Sequence, residues 1–252
     1  MSPAETLEVA EAAARAAGTY LLEQFGRGEL VISSKSTPTD LVSDADVAAE
    51  RLIRSILRER APEDGIVGEE GDDVASASGR QWVVDPLDGT VNFLFGYPQW
   101  CVSVACEGVA GVIYDPLRDE LFAGGRDRPT TLNGEVVHGS GRSDLATALV
   151  ATGFGYDARQ RGEQGVLAAA VLPRCRDLRR AGSAALDLAW TAVGRVDAYY
   201  EHGVQRWDAA AGILLCAGAG VEVRPLRARG LLPAGVLAAS PAIADELLGL
   251  VD

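Results

Sequence analysis

Apolar residues recur at Leu7, Ala10, Ala14, Ala17, Leu21 and Phe25, and this three-and-four spacing predicts a long amphipathic helix over 5–25 that Gly26 ends. A second helix starts behind Ser43, a side chain suited to capping. Val47, Leu52, Ile53, Ile56 and Leu57 mark its inner face, and Pro62 closes the region. Its first turn is acidic, with Asp44 and Asp46. The period then changes to short β-like runs at 81–85, 100–107, 111–114 and 120–123, separated by Gly, Pro and Asp turns, which predict a mostly antiparallel sheet. Beyond about Ser140 the order becomes strand, helix, helix, strand, helix, strand, with candidates at 148–152, 165–171, 183–193, 197–201, 209–217 and 221–224. A terminal helix over 241–250 has Ser240 as its cap. The expectation is an α+β half over 1–140 and a layered α/β half over 141–252, with no repeat or low-complexity linker between them, working as one body.

A chain of 252 residues is long enough for such a core. It has no apolar run approaching the roughly 20 residues of a membrane-spanning helix, so no membrane partner is expected. The first 15 residues contain Glu5, Glu8 and Glu11 and lack the basic-then-apolar order of a secretory signal, which makes the cytoplasm the expected location. A net charge of -13 opposes attraction to nucleic acid or anionic lipid and favours cations, although an acidic surface also serves simply to be solvated. Cys101, Cys106, Cys175 and Cys216 lack the close pairing of a zinc site and read as buried, reduced thiols. His138 and His202 are too few and too far apart to announce a catalytic cluster.

The informative stretch is Trp82-Val83-Val84-Asp85-Pro86-Leu87-Asp88-Gly89-Thr90-Val91-Asn92-Phe93, a buried-type strand that stops at an acid and turns through proline to another acid. Pro86 stiffens the turn, so that Asp85, Asp88 and the Leu87 carbonyl can converge as hard oxygen ligands suited to magnesium. Gly89 and Thr90 then open a helix start whose free N–H groups attract phosphate. Spacing alone serves a structural turn equally well. Upstream, Ile66-Val67-Gly68-Glu69-Glu70-Gly71 also ends an apolar run in acids. Downstream, Trp207-Asp208-Ala209-Ala210-Ala211-Gly212 places Asp208 at a helix start, where alone it would be a helix cap.

Together, Gly68-Glu69-Glu70, the segment from Asp85 to Phe93 and the segment from Trp207 to Gly212 resemble the inositol monophosphatase family of magnesium-dependent, lithium-sensitive phosphatases. A fourth match, Lys35-Ser36-Thr37-Pro38-Thr39-Asp40-Leu41-Val42-Ser43-Asp44-Ala45-Asp46, resembles the family's N-terminal segment, and the likeness spans nearly the whole chain. It implies an αβαβα sandwich, two magnesium ions and a homodimer. By the same resemblance Glu69, Asp85 and the Leu87 carbonyl hold the first ion, and Asp85, Asp88 and Asp208 the second. A third, weaker ion lies near Glu69, where the short 70–82 segment departs from many relatives. The backbone of Gly89 and Thr90 would bind phosphate, and the Thr90 hydroxyl, supported by Asp46, would orient the attacking water. A haloacid dehalogenase-like aspartyl nucleophile is the alternative for Asp85, but it expects another acid spacing and leaves Glu69 and Asp208 unexplained.

The leaving group would be read by Glu201, which ends Val196-Asp197-Ala198-Tyr199-Tyr200-Glu201, and by Ser183 and Ala184 in Ala181-Gly182-Ser183-Ala184-Ala185. The plain reading of Glu201 is an exposed strand-end acid; the resemblance makes it an acceptor for inositol hydroxyls. A small phosphorylated polyol, first of all inositol 1-phosphate, is the expected substrate. Histidinol phosphate, fructose 1,6-bisphosphate and a 3'-phosphoadenosine nucleotide are the alternatives, and a non-catalytic interaction role is the reading from another class. The stretch 153–164, which holds Gly155, Tyr156, Asp157, Arg159 and Arg161, is expected at the rim of the site, with Arg159 and Arg161 themselves solvated.

Overall fold

The computed structural model of the protein describes residues 1–27, 32–34 and 41–252. Residues 35–40 of the fourth signature therefore lie outside the described residues. Helix α1 (Pro3–Gln24) opens on Ser2, whose hydroxyl accepts from the Glu5 N–H while the Glu5 carboxylate accepts from the Ser2 N–H, a reciprocal cap. Strands β1 (Ile32–Ser34) and β2 (Leu41–Ser43) pair antiparallel, and β2 leads directly into α2 (Asp44–Arg60). Ser43 stands at the N-cap as expected, and its N–H donates to the Asp46 carboxylate in the first turn at 2.9 Å.

Seven strands follow: β3 (Gly65–Gly68), β4 (Gln81–Asp88), β5 (Cys101–Cys106), β6 (Ala110–Asp115), β7 (Glu120–Gly125), β8 (Arg128–Leu132) and β9 (Glu135–Val136). They form one sheet in sequence order, antiparallel except for β3 beside β4. The short helix α3 (Thr90–Leu94) interrupts the run after β4. A second sheet has the order β11-β10-β12-β14-β13, built from β10 (Leu149–Thr152), β11 (Asp177–Arg179), β12 (Ala198–His202), β13 (Glu222–Leu226) and β14 (Gly235–Ala239). Between these strands run α4 (Ala158–Val171), α5 (Ala184–Ala192) and α6 (Arg206–Gly218), and α7 (Pro241–Val251) comes last.

The layers follow from which faces are apolar. Every residue of β5 is buried, because both of its faces are covered. Val102, Val104 and Cys106 pack with α1 and α2, whereas Cys101 and Ala105 point the other way, into a core shared with α5 and α6. The second sheet repeats the arrangement: Tyr199 and Ala238 face α5 and α6, while Ala198, Tyr200, Leu237 and Ala239 face α4 and α7. The result is the expected αβαβα sandwich, with α5 and α6 held between two sheets. All four cysteines are buried and free. His202 is buried too, its ring nitrogens 2.7 Å and 2.8 Å from the Pro233 and Val251 carbonyls, which gives it a structural role.

Candidate active site

Strand β4 does not stop at Asp85 as its sequence suggested but runs on to Asp88, with its pairing to β5 shifted between the two acids. Pro86 lies within that irregularity and cannot donate to a ladder, so the strand bends where both carboxylates leave it. The Leu87 N–H donates to Asp85 Oδ1 at 2.9 Å and fixes the turn. Gly89 then adopts φ 100°, and a side chain there would come within 2.9 Å of the Gln99 carbonyl, so glycine is required. Behind it, Thr90 Oγ1 donates to Asp46 Oδ1 at 2.9 Å and lies 3.1 Å from the Leu87 carbonyl. Asp46 itself accepts from the Ser43 N–H at 2.9 Å and from the Ser43 hydroxyl. The rest of the signature is scaffolding: the Asn92 amide donates to the Gln99 and Ala181 carbonyls at 2.7 Å and 2.9 Å, and Phe93 packs edge-on to Trp100 at 5.0 Å.

Other elements bring the remaining acids to the same place. Asp88 Oδ2 accepts from the Ser183 hydroxyl at 2.6 Å and the Ala185 N–H at 2.7 Å, so the start of α5 grips the end of β4. Asp208 sits in the first turn of α6 and accepts from the Gln205 N–H at 2.7 Å. It does cap its helix, but its carboxylate also meets those of Asp85 and Asp88, with ligand oxygens within 4.8 Å of one another. Glu69 follows β3 on a loop that α2 anchors: the buried Glu50 pairs with Arg54 at 2.6 Å and accepts from the Glu70 N–H at 2.8 Å, while Arg54 donates to the Asp72 carbonyl at 3.0 Å.

One cleft of about 450 Å³ is lined by Glu69, Asp85, Leu87, Asp88, Gly89, Thr90, Ser183, Ala184, Glu201 and Asp208. Asp46 is not among the residues that line it, and among the described residues Thr90 links it to the cleft. Glu201 is not an exposed strand-end acid: its carboxylate takes a hydrogen bond from the buried Tyr199 hydroxyl at 2.7 Å. Burial, and then the charges of Glu69, Asp88 and Asp208, push the Asp85 carboxyl well above the usual range. Burial pushes Asp88 up to about 6 against the pull of Ser183, and burial with the Asp88 charge raises Asp208. Buried like charges of this kind repel unless a cation joins them. Carboxylate and carbonyl oxygens are the donors that magnesium takes, so the residues fit that ion.

The stretch 153–164 supplies part of the wall, through Gly153, Phe154 and Tyr156 among others, whereas sequence reasoning missed Asp187 and Arg180. Asp187 had a signal: it lies one helical turn beyond Ser183 and so shares its face. Arg161 is not merely solvated, because it donates to the Tyr156 carbonyl at 2.7 Å and braces the loop that forms the cleft rim; Arg159 is exposed as expected.

The chain matches the family model described as the inositol monophosphatase family over residues 2–251. The inositol-1-monophosphatase SuhB of Mycobacterium tuberculosis strain H37Rv is 44% identical over 268 residues, covering 98% of this chain and 91% of the relative. The Nus factor SuhB of Escherichia coli K12 is 36% identical over 250 residues, covering 96% and 94%. Among solved structures, the extragenic suppressor protein suhB of Bartonella henselae superposes with a TM-score of 0.90 at 34% identity and covers 97% of each chain.

Proposed function

The chain belongs to the inositol monophosphatase family, and from that premise we propose that it hydrolyses inositol 1-phosphate with two magnesium ions and a third, weaker one near Glu69. The observation that carries this reading is the meeting of the buried Asp85 and Asp88, from a strand, with the half-buried Asp208, from a helix far along the chain, in one cluster. Glu69, Asp85 and the Leu87 carbonyl would hold one ion, and Asp85, Asp88 and Asp208 another, so that Asp85 bridges them. Magnesium, when bound, offsets the charge of the phosphate dianion and acidifies a water. The backbone of Gly89 and Thr90 faces the phosphate. The Thr90 hydroxyl, fixed by Asp46, aims the water at phosphorus, and no Ser, Cys or His nucleophile is required.

The leaving alcohol falls between Glu201 and the Ser183–Ala184 start of α5, where a ring bearing several hydroxyls meets fixed acceptors. An unpaired buried polar group costs about 1–3 kcal/mol, which makes hydroxyl reading selective. The test is turnover of inositol 1-phosphate, histidinol phosphate, fructose 1,6-bisphosphate and a 3'-phosphoadenosine nucleotide side by side, with and without magnesium. The expected result is magnesium-dependent release with the highest kcat/KM for the inositol ester. A large preference for histidinol phosphate would overturn the choice of substrate. Relatives that carry the name Nus factor favour a second reading, in which the chain acts by binding a macromolecule. Phosphate release that stops when magnesium is withdrawn separates catalysis from binding alone.

A further inference from the structure

We propose that Asp187 is a second acceptor for the hydroxyls of the leaving alcohol, forming with Glu201 a two-carboxylate reader of a neutral polyol; this rests on the phosphatase reading above.

Asp187 lies in the first turn of α5, is only 2% exposed, and lines the catalytic cleft. The other cleft carboxylates are engaged. Asp85 accepts from the Leu87 N–H, Asp88 from Ser183 and Ala185, Asp208 from the Gln205 N–H and Glu201 from Tyr199. The Asp187 carboxylate accepts no hydrogen bond from any described residue, although its backbone is fully used within the helix and by the Thr191 hydroxyl. A buried carboxylate without donors is costly, and an ionised one can only accept. Such a group suits an incoming molecule that supplies the missing hydrogens.

The surroundings select the class of molecule. Burial, and then the charges of Glu201 and Asp88, push the Asp187 carboxyl well above the usual range, and the Arg180 guanidinium pulls it back. Two carboxylates at the leaving-group end oppose a second phosphate or a carboxylate there. Arg180, which shares the cleft wall and lies over the Phe154 ring at 5.8 Å, offsets part of their charge and lessens the pull on an ammonium group. A neutral alcohol with adjacent hydroxyls satisfies both. Glu201 already has one oxygen taken by Tyr199, and a Cβ at Gly153 would overlap its carboxylate, so its position is fixed. Asp187 keeps both oxygens for substrate.

Asp187→Asn and Asp187→Ala are assayed in the full chain with saturating magnesium against two esters: inositol 1-phosphate, and phenyl phosphate, which has no hydroxyl on its leaving group. Loss of hydrogen bonds to this buried carboxyl predicts a kcat/KM about tenfold lower for the inositol ester. The loss is expected in KM with kcat nearly unchanged, because the contact exists before and during reaction. Phenyl phosphate is expected to keep its kcat/KM within about twofold. A merely structural Asp187 would lower both esters together, and a spectator would change neither; either result overturns the proposal. Wild-type protein that releases no phosphate from either ester would instead sink the phosphatase reading, and the proposal with it.

Discussion

Replacing Asp85 with Asn removes the charge that Glu69, Asp88 and Asp208 all press upon. In chelator the variant is therefore expected to melt at a higher temperature than the native chain. With magnesium the order reverses, since the native protein gains stability from the ion and the variant does not. Turnover is expected to fall more than about a hundredfold, because even partners outside the ligand sphere typically cost ten- to a hundredfold. Near-native turnover at limiting magnesium would remove Asp85 as the bridging ligand. Thr90→Ala tests a different contact. It deletes the link to Asp46 at 2.9 Å and is expected to lower kcat more than it raises KM, which steady-state kinetics on one ester resolves.

Among the elements, α5 joins the two ends of the cleft through one side chain. Ser183 caps that helix by accepting from the Leu186 N–H and donates to Asp88 at 2.6 Å. Ser183→Ala is expected to destabilise the protein by about 1–2 kcal/mol, read by denaturant unfolding, and to weaken magnesium binding in calorimetric titration. Unchanged affinity for the ion would mean that the Asp88 carboxylate holds its place without this bond. Elements were legible where period and boundary signals agreed, as in α1, α2 and β5. The predicted helix over 165–171 begins earlier, at Ala158, because Asp157 caps it by accepting from the Arg159 and Gln160 N–H groups at 2.9 Å. Strand β14 was missed because Gly-Val-Leu-Ala-Ala has little strand propensity, and only its place between β12 and β13 makes it one. The acids that meet in the cleft were legible because each stands in a distinctive motif. Asp187 was not, since its importance lies in neighbours that the chain brings together only on folding.

For the whole molecule, the raised carboxyls set a pH response. Burial pushes Asp88 up to about 6 and Glu201 up to about 7, whereas both titrate near 4 in an unfolded chain. Between those values the folded state holds more protons than the unfolded one, so their contribution, complete below about pH 4, is lost as pH rises towards 7. Carboxyls lowered by hydrogen bonds, such as Asp157 and Asp177, change stability only in more acidic solution. Thermal unfolding in chelator is therefore expected to show a falling Tm from pH 5 to 7.5, and excess magnesium to flatten that fall. A Tm that climbed over the same interval without metal would contradict the buried, self-repelling cluster.

Helix α6 touches both sheets and carries Asp208 at its start, while Asp85 and Asp88 depart from the first sheet and Glu201 from the second. An ion held by Asp85, Asp88 and Asp208 would act as a rivet between the first sheet and α6: withdrawing it would free that joint while the sheet stays whole. Deuterium uptake after chelation should then quicken along the opening turns of α6 and leave the middle of β5 as slow as before.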